Sequence, residues 1–181
     1  MTEAQFNLAM NRIRNKDKSA LKEIYEEYIS FIYNVCLSVV KQKEAAEDIT
    51  SEFFIRLWER ADQFREGSGH KGYLAAIARN MAIDYLRKQG REQFFEANED
   101  TAKEEPVLTD TSPTPEEEVV SSLSVEDALN TLKPQYREIV TMKVLGDMTF
   151  KEIAETLNIP MGTVTWNYQD ALKKLRRFGY E

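Results

Sequence analysis

Apolar residues recur at intervals of three and four along most of the chain, as they do on one face of an α-helix. No stretch shows the strict alternation of apolar and polar residues that is typical of a half-buried strand. The pattern therefore predicts an all-α fold. In the first half of the chain it runs through Phe6, Met10, Ile13, then Leu21, Ile24, Tyr28, Phe31, Ile32, Val35, Val39, then Ile49, Phe53 and Leu57.

The helical pattern is interrupted once, over residues 94–124. This segment contains Pro106, Pro113 and Pro115 and many carboxylates, and most of it has no apolar period. Proline and repulsion between like charges favour an extended, solvated chain. We therefore expect two small helical domains, residues 1–93 and 125–181, joined by an acidic flexible linker at 94–124. A chain of 181 residues that is 42% hydrophobic has enough apolar surface for both cores.

The C-terminal segment has the signals of a helix-turn-helix. Thr149 and Glu152 form a capping box, which predicts where the first helix begins. Asn158 suits the left-handed position that ends this helix, and Pro160 stops its continuation. Thr163 is predicted to cap the second helix.

The second helix, residues 163–177, has two contrasting sides at about 100° per residue. We expect Asn167 and Lys174 to be solvent-facing, whereas an exposed Trp166 indicates a contact surface. The predicted core side consists of Val164, Tyr168, Ala171, Leu172 and Leu175. The opposite side consists of Trp166, Gln169, Asp170, Lys173 and Arg177.

The net charge of −7 at first argues against nucleic-acid binding, because phosphate binding depends mainly on Lys and Arg. The deficit, however, lies in one segment: residues 1–93 carry +1, residues 94–124 carry −8 and residues 125–181 are neutral. A free-standing DNA reader with so little charge on its second helix would bind weakly at physiological salt.

Three segments together resemble the bacterial RNA polymerase sigma factors of the extracytoplasmic-function type. They are AAEDITSEFFIRLWERADQFR at 45–65, GYLAAIARNMAIDYLRKQGR at 72–91 and LKPQYREIVTMKVLGDMTFKEIAETLNIPMGTV at 132–164. The resemblance implies that residues 1–93 are sigma region 2, which binds core polymerase and the −10 element. It implies that residues 125–181 are region 4, which binds the −35 element.

In this family the helix that matches AEDITSEFFIRLW docks on a coiled coil of the largest polymerase subunit. The resemblance also implies contact with the polymerase flap, with promoter DNA and with an anti-sigma factor. A wide core stripe would account for Phe54 and Trp58 equally well. The predicted core-polymerase contacts are Asp48, Glu52, Ile55, Arg56 and Trp58.

The loop after this helix, and the helix that follows, match the part of the family that opens the promoter. Holding unpaired bases requires aromatic surfaces, polar contacts and cations along the strand. The predicted −10 contacts are Phe64, Arg65, His70, Lys71, Tyr73, Asn80, Asp84, Arg87 and Lys88. The predicted −35 contacts are Thr149, Thr163, Thr165, Trp166, Gln169, Asp170, Lys173 and Arg177.

The chain departs from the family in two places. Residues 73–76 are Tyr-Leu-Ala-Ala where many members have Trp-Leu-Tyr-Arg. Residues 165–170 lack the basic residues that usually follow Gly-Thr-Val, so a family-typical −35 sequence is not implied. The linker has two interpretations, since in the family it follows the nascent-RNA path. It either imitates RNA in a basic channel or is a plain solvated tether.

Two other function classes fit the sequence less well. A helix-turn-helix regulator that acts without polymerase would need tight DNA binding by the isolated protein. An enzyme would need a metal site at acidic clusters such as Glu23, Glu26 and Glu27, but one histidine and the lack of a Gly-rich phosphate loop favour ordinary surface charge. We therefore expect no catalytic residue, metal or cofactor.

The remaining features concern compartment and redox chemistry. Cys36, the only cysteine, lies in an apolar helical pattern and is expected to be a buried structural thiol. No apolar run approaches the ~20 residues that span a bilayer, and the first residues do not resemble a signal peptide. The expected location is cytoplasmic, with no membrane segment.

Overall fold

The computed structural model describes residues 1–65, 69–99 and 125–177, and for residues 91–99, 125 and 126 it describes the backbone only. Every element in these ranges is helical, which confirms the all-α prediction. A short 3-10 helix, Ala61–Gln63, follows the third α-helix. The α-helices are α1 Glu3–Arg14, α2 Lys18–Val40, α3 Lys43–Glu59, α4 His70–Glu99, α5 Val125–Asn130, α6 Pro134–Val144, α7 Phe150–Leu157 and α8 Met161–Arg177.

One predicted boundary needs correction. Residues 94–99, which were expected to begin the linker, belong to α4, since this helix continues through Glu99. The other predicted linker residues, 100–124, lie outside the described residues, as do residues 66–68 of the loop before α4. The domain limits therefore remain predictions.

Side-chain caps mark several helix ends. Thr2 and Gln5 form a capping box at the start of α1, and the Asp17 carboxylate accepts from the Ser19 backbone N–H at the start of α2. Hydrogen bonds from the Ser19 hydroxyl and backbone and from Arg12 lower the pKa of Asp17 to about 2. At the end of α2, Lys41 takes a left-handed conformation with φ 62°. These local bonds satisfy amide and carbonyl groups that helix ends leave free.

The helix-turn-helix forms largely as its sequence predicts. The Thr149 hydroxyl accepts from the Glu152 backbone N–H, and the Glu152 carboxylate accepts from the Thr149 backbone N–H at 2.7 Å. Asn158 is left-handed with φ 53°. The prediction that Thr163 caps α8 is wrong, because α8 begins at Met161 and Thr163 lies inside its first turn.

The N-terminal half packs α1, α3 and α4 around α2. Phe6, Met10, Ile32, Phe53 and Leu74 are fully buried in this core. Burial of one such side chain stabilises the fold by roughly 1.5–3 kcal/mol. The apolar period therefore predicted the core-facing sides of α1, α2 and α3 correctly.

The C-terminal half packs α6, α7 and α8 together. Ile139, Met142, Met148, Ile153 and Val164 are fully buried and belong to the same continuous core cluster as the residues of the N-terminal half. A second, small cluster joins α6 to α8 through Leu132, Tyr136, Val140 and Ala171. The two halves are thus in direct contact along α2 and α6 and along α4 and α7.

Cys36 is buried as predicted. Its Sγ lies 3.9 Å from the Ala78 carbonyl oxygen, and burial raises the pKa of the thiol to about 12. A thiol with so little thiolate character is a poor nucleophile and a poor metal ligand. Within the described part of the chain, no helix has the length and apolar character needed to cross a membrane.

Thr149 and Thr163 give a matched test of the two predicted caps. We expect Thr149→Ala to lower the free energy of unfolding by about 1 kcal/mol, because it leaves an α7 amide without its acceptor. Thr163→Ala should change stability little, since Thr163 lies within the first turn of α8. Urea denaturation of both variants measures the difference. Equal losses would contradict the assignment of the caps.

Candidate nucleic-acid and partner interfaces

The outward side of α3 combines apolar and charged groups. Ile55 is 52% exposed, whereas the apolar residues on the inner face of α3 are buried. Asp48 is also exposed. Arg56 donates from Nε to Glu52 at 2.9 Å, one turn away. Trp58 is half-buried, with the Lys16 ammonium 5.3 Å from its ring centre. The five predicted contact residues therefore form one partly exposed surface of the kind seen in helix-on-helix interfaces.

Phe64 and His70 are not on the surface. Phe64 is 3% exposed, and its ring meets Phe6 at 5.4 Å and Tyr73 at 5.0 Å, both edge-on. His70 is 8% exposed and stacks on Phe6 at 5.1 Å. In this arrangement both rings are covered and neither is open to a base, so contact between these two residues and unpaired DNA stays a prediction. The physical reason is that α1 covers both rings.

Arg14 contacts the ring cluster of Phe6, Phe64, His70 and Tyr73 from its outer side. It donates to the carbonyl oxygens of Ala61 and Phe64, and its guanidinium lies 6.0 Å from the Phe64 ring centre. Burial, followed by the charge of Lys71, lowers the pKa of His70. The imidazole is therefore held neutral, and its Nε2 has no hydrogen-bond partner among the described residues.

The other predicted −10 residues are accessible. Arg65 is exposed, whereas Lys71 and Tyr73 are partly covered. A strip farther along α4 is open to solvent. It consists of Asn80, Asp84, Arg87 and Lys88.

The α4 strip is positive overall. Asp84 lies 3.6 Å from Arg87 and both are largely exposed, so this ion pair contributes little to stability. Two cations and one carboxylate on one open surface can attract a phosphate backbone.

The outward side of α8 is mostly as predicted. Trp166 is 62% exposed, and Gln169, Lys173 and Arg177 are exposed as well. Asn167 was expected to face solvent but is 5% exposed and donates to the Gln135 side chain at 3.0 Å. Because α6 packs along α8, it covers a wider face than helical periodicity alone indicates.

Asp170 is engaged within its own domain. Its carboxylate lies 3.0 Å from the Lys174 ammonium and accepts a hydrogen bond from the Tyr136 hydroxyl of α6. Its hydrogen bond with Lys174 is the main cause that lowers the pKa of Asp170. Lys174 also lies 4.6 Å from the Tyr136 ring centre, so it is not simply solvent-facing as expected. Asp170 and Lys174 thus join α8 to α6 and largely neutralise each other.

Two of the three predicted threonines also make bonds within the fold. The Thr149 hydroxyl donates to Glu152 at 2.8 Å and the Thr165 hydroxyl donates to the Met161 carbonyl at 3.0 Å. Thr163 is exposed.

The sequence matches two family models in the order of the two halves. Residues 24–92 match the family described as Sigma-70 region 2, and residues 122–175 match Sigma-70, region 4. The chain belongs to the extracytoplasmic-function (ECF) sigma factors. It binds core RNA polymerase and directs promoter recognition and transcription initiation.

Two relatives match nearly the whole length of this sigma factor. The ECF RNA polymerase sigma factor SigW of Bacillus subtilis (strain 168) is 28% identical over 182 residues, which cover 97% of each chain. The ECF RNA polymerase sigma factor SigK of Mycobacterium tuberculosis (strain ATCC 25618 / H37Rv) is 24% identical over 92% of this chain and 89% of its own.

Two solved structures share the fold. The sigma factor RpoE from Bartonella quintana, in complex with the anti-sigma factor NepR, superposes with a TM-score of 0.66 at 22% identity, covering 90% of this chain and 97% of its own. CnrH, in complex with the cytosolic domain of CnrY, superposes with a TM-score of 0.64 at 15% identity, covering 96% of both chains.

Sequence reasoning missed the polar residues between the two halves of the sigma factor. Arg79 of α4 donates from Nε to the Glu138 carboxylate of α6 at 2.6 Å, and Glu138 is 7% exposed. The neighbouring Arg137 is 2% exposed. Charged residues on amphipathic helices normally face solvent, so nothing local to either segment predicts that they meet.

The buried imidazole gives a prediction about pH. The folded pKa of His70 is below that of the unfolded chain, so below about pH 6.5 the unfolded chain binds a proton more readily and the folded state loses stability. We expect the melting temperature to fall between about pH 7.5 and about pH 5.5, and His70→Phe, which keeps a ring in the cluster, to flatten this decline. An equal decline in both proteins would show that other groups cause it.

Proposed function

We propose that the sigma factor divides its contacts among three separate surfaces: the outward side of α3 for core polymerase, the α4 strip for the −10 element and the outward side of α8 for the −35 element. The observation that carries this proposal is that each exposed surface lies in the segment that matches the corresponding family region. On this basis residues 1–93 and 125–181 act as the two functional domains.

The polymerase contact is supported by the composition of the α3 surface. An exposed isoleucine among charged side chains loses apolar surface from water when a partner helix packs on it. The edge of this surface carries Asp48, Glu52 and Arg56, which favour a partner with a complementary pattern of charges. A coiled coil of the largest polymerase subunit, the docking site in this family, has the helical shape that such a surface fits.

The −10 contact is supported by the position of Asn80 and Asp84 beside the two cations of the α4 strip. Asn and Asp side chains form hydrogen bonds with base edges, whereas Arg87 and Lys88 attract the strand. Arg65 and Lys71 add cations near the loop. Phe64 and His70 are left out because they are buried.

The −35 contact is supported by the order of groups along α8. Trp166 and Gln169 lie in the first half of the helix, where recognition helices contact base edges. Basic residues occupy the last turn and suit backbone phosphates. Asp170 is better explained as a structural residue that holds Lys174 and Tyr136.

Partners and mode of action follow from the family. The sigma factor acts by binding, without enzymatic turnover, in the cytoplasm where the polymerase works. An anti-sigma factor is expected to bind it, since the similar RpoE of Bartonella quintana is found with NepR. The flap of the polymerase is the expected partner of the C-terminal domain.

Run-off transcription with core polymerase, followed by mapping of start sites, tests the function as a whole. We expect defined start sites that depend on both proteins. DNA binding by the isolated chain, measured in parallel, distinguishes the alternative. Tight autonomous binding without polymerase-dependent start sites would favour a free-standing helix-turn-helix regulator.

The α3 surface can be tested with two matched substitutions of exposed aliphatic residues. We expect Ile55→Asp to weaken binding to core polymerase by about 1–3 kcal/mol, because it places a carboxylate inside an apolar contact. Leu8→Asp on α1, where Leu8 is 63% exposed, should leave binding unchanged. Fluorescence anisotropy titration with core enzyme measures both. Equal affinities of the two variants for core polymerase would show that the α3 surface is not part of the interface.

The α8 surface predicts which substitutions alter promoter choice. Trp166→Ala and Gln169→Ala should change the preferred base in a randomised upstream element, with a swing of about 1–3 kcal/mol at one position each. Asp170→Asn should lower the melting temperature and leave the preferred bases unchanged. Sequencing of the promoters that remain active in vitro gives the answer. If Asp170→Asn alone changed the preferred base, the result would show that Asp170 contacts DNA.

A further inference from the structure

The buried face of α8 contains a polar residue. The buried residues of this helix are Val164, Asn167 and Ala171, which are spaced three and four apart and therefore share one face. Val164 and Ala171 are fully buried, and Asn167, between them, is 5% exposed. An amide thus occupies the middle of an otherwise apolar contact.

The Asn167 side chain is bound to α6. Its Nδ2 donates to Oε1 of Gln135 at 3.0 Å, across 32 residues of sequence. Gln135 lies in the first turn of α6 and is exposed. The hydrogen bond therefore has a buried end on α8 and a solvent-facing end on α6, at the edge of the contact between the two helices.

Stability does not account for a polar pair at this place. One neutral hydrogen bond adds little net stability, because both amides bind water in the unfolded chain. Asparagine also favours a helix interior less than leucine does. In coiled coils, a single buried asparagine fixes the register of two helices at a cost in stability. The pair of Gln135 and Asn167 has the geometry for a similar role between α6 and α8.

The apolar contacts of α8 hold its distance from its neighbours better than its rotation. Ala171 packs in the small apolar cluster with Tyr136, and the Tyr168 ring meets the Phe150 ring of α7 at 5.4 Å. Apolar burial is not directional, so a small rotation of α8 changes it little. A hydrogen bond requires an aligned donor and acceptor. The bond between Gln135 and Asn167 therefore resists rotation more than these contacts do.

A second polar link between the same helices is more open. Asp170 accepts from the Tyr136 hydroxyl and lies 3.0 Å from the Lys174 ammonium. The Asp170 and Lys174 side chains are 30% and 39% exposed. An ion pair with this much access to solvent adjusts to small shifts at little cost. It provides a comparison for the buried amide within the same pair of helices.

The direction of Asn167 determines the direction of the proposed base contacts. Successive residues of an α-helix lie about 100° apart around its axis. Trp166 precedes Asn167 and Gln169 follows it by two residues, so a fixed Asn167 fixes both exposed side chains. The groups of a recognition site must be held within roughly 10–20° of their working geometry. A small rotation of α8 would move Trp166 and Gln169 away from base edges.

We infer that Gln135 and Asn167 are positioning residues for base selection, because their hydrogen bond fixes the rotation of α8. The inference rests on the proposed −35 role of α8. It assigns no DNA contact to either residue. The pair controls how sharply the sigma factor discriminates between upstream sequences, and contributes little to the stability of the domain.

Selection from a randomised upstream element, with the full chain and core polymerase, tests this role. The quantity measured is the ratio of activities on the preferred and the next-best base. We expect Asn167→Leu to lower this ratio about fivefold or more, while the melting temperature stays at the parental value or rises. Gln135→Leu should lower the ratio as well, and because Gln135 is exposed, this substitution does not threaten folding.

An exchange and a matched control distinguish positioning from a general structural effect. Gln135→Asn combined with Asn167→Gln keeps the summed length of the two side chains and should restore the ratio. Tyr136→Phe removes the hydroxyl that Asp170 accepts from, keeps the ring, and should leave the ratio unchanged. In the free protein, NMR should show slow exchange of the Asn167 side-chain amide protons and faster exchange in Gln135→Leu.

The outcomes separate this inference from the −35 proposal. If Trp166→Ala changes the preferred base while Asn167→Leu and Gln135→Leu keep the parental ratio, α8 reads DNA and the positioning role is overturned. If Trp166→Ala changes nothing, the −35 proposal fails and the positioning role fails with it. A loss that Tyr136→Phe matches, or that the exchange does not restore, would show that the buried pair has no special role.

Discussion

The C-terminal half of helix α2 is buried or half-buried on every side, and much of the fold follows from the need to cover it. Ile24, Ile32, Val35 and Cys36 are fully buried, and Phe31, near the middle of the helix, is 6% exposed. A helix with so wide an apolar surface is stable only when surrounded. In this structure α1, α3, α4 and α6 do so. The C-terminal domain therefore completes the core of the N-terminal domain.

This shared core joins two domains whose contact is also polar. Contacts between domains of one chain are generally more polar than permanent interfaces, which permits motion between them. Here Glu138 has its partner in Arg79 and Arg137 has none among the described residues. Separation would leave Phe31 exposed and release Arg137.

The low charge of α8 has a structural explanation beside the functional one. Asp170 and Lys174 bind each other and Tyr136, so they are occupied in holding α8 on α6. The accessible cations lie toward the end of the helix, beyond Trp166 and Gln169. A sigma factor is held on DNA by polymerase, so such a helix can contribute base selection while other contacts supply affinity.

The sequence alone determined the all-α class, the capping box that begins α7 and the family. Periodicity and capping are local properties, and they predicted the inner faces of α1, α2, α3 and α7 and the left-handed turn at Asn158. Three separate motifs in family order were enough to identify a sigma factor. Local signals succeed here because each depends on residues within about two helical turns.

Only the tertiary structure decided which polar and aromatic residues are available. Phe64 and His70 have the chemistry to hold bases, but α1 buries them. Asn167 lies on a polar side of its helix, but α6 covers it. Glu138 and Arg137 resemble ordinary surface charges until α6 meets α2 and α4. The physical reason is that exposure depends on contacts between residues distant in sequence, and no pattern within one helix records which neighbour will cover it.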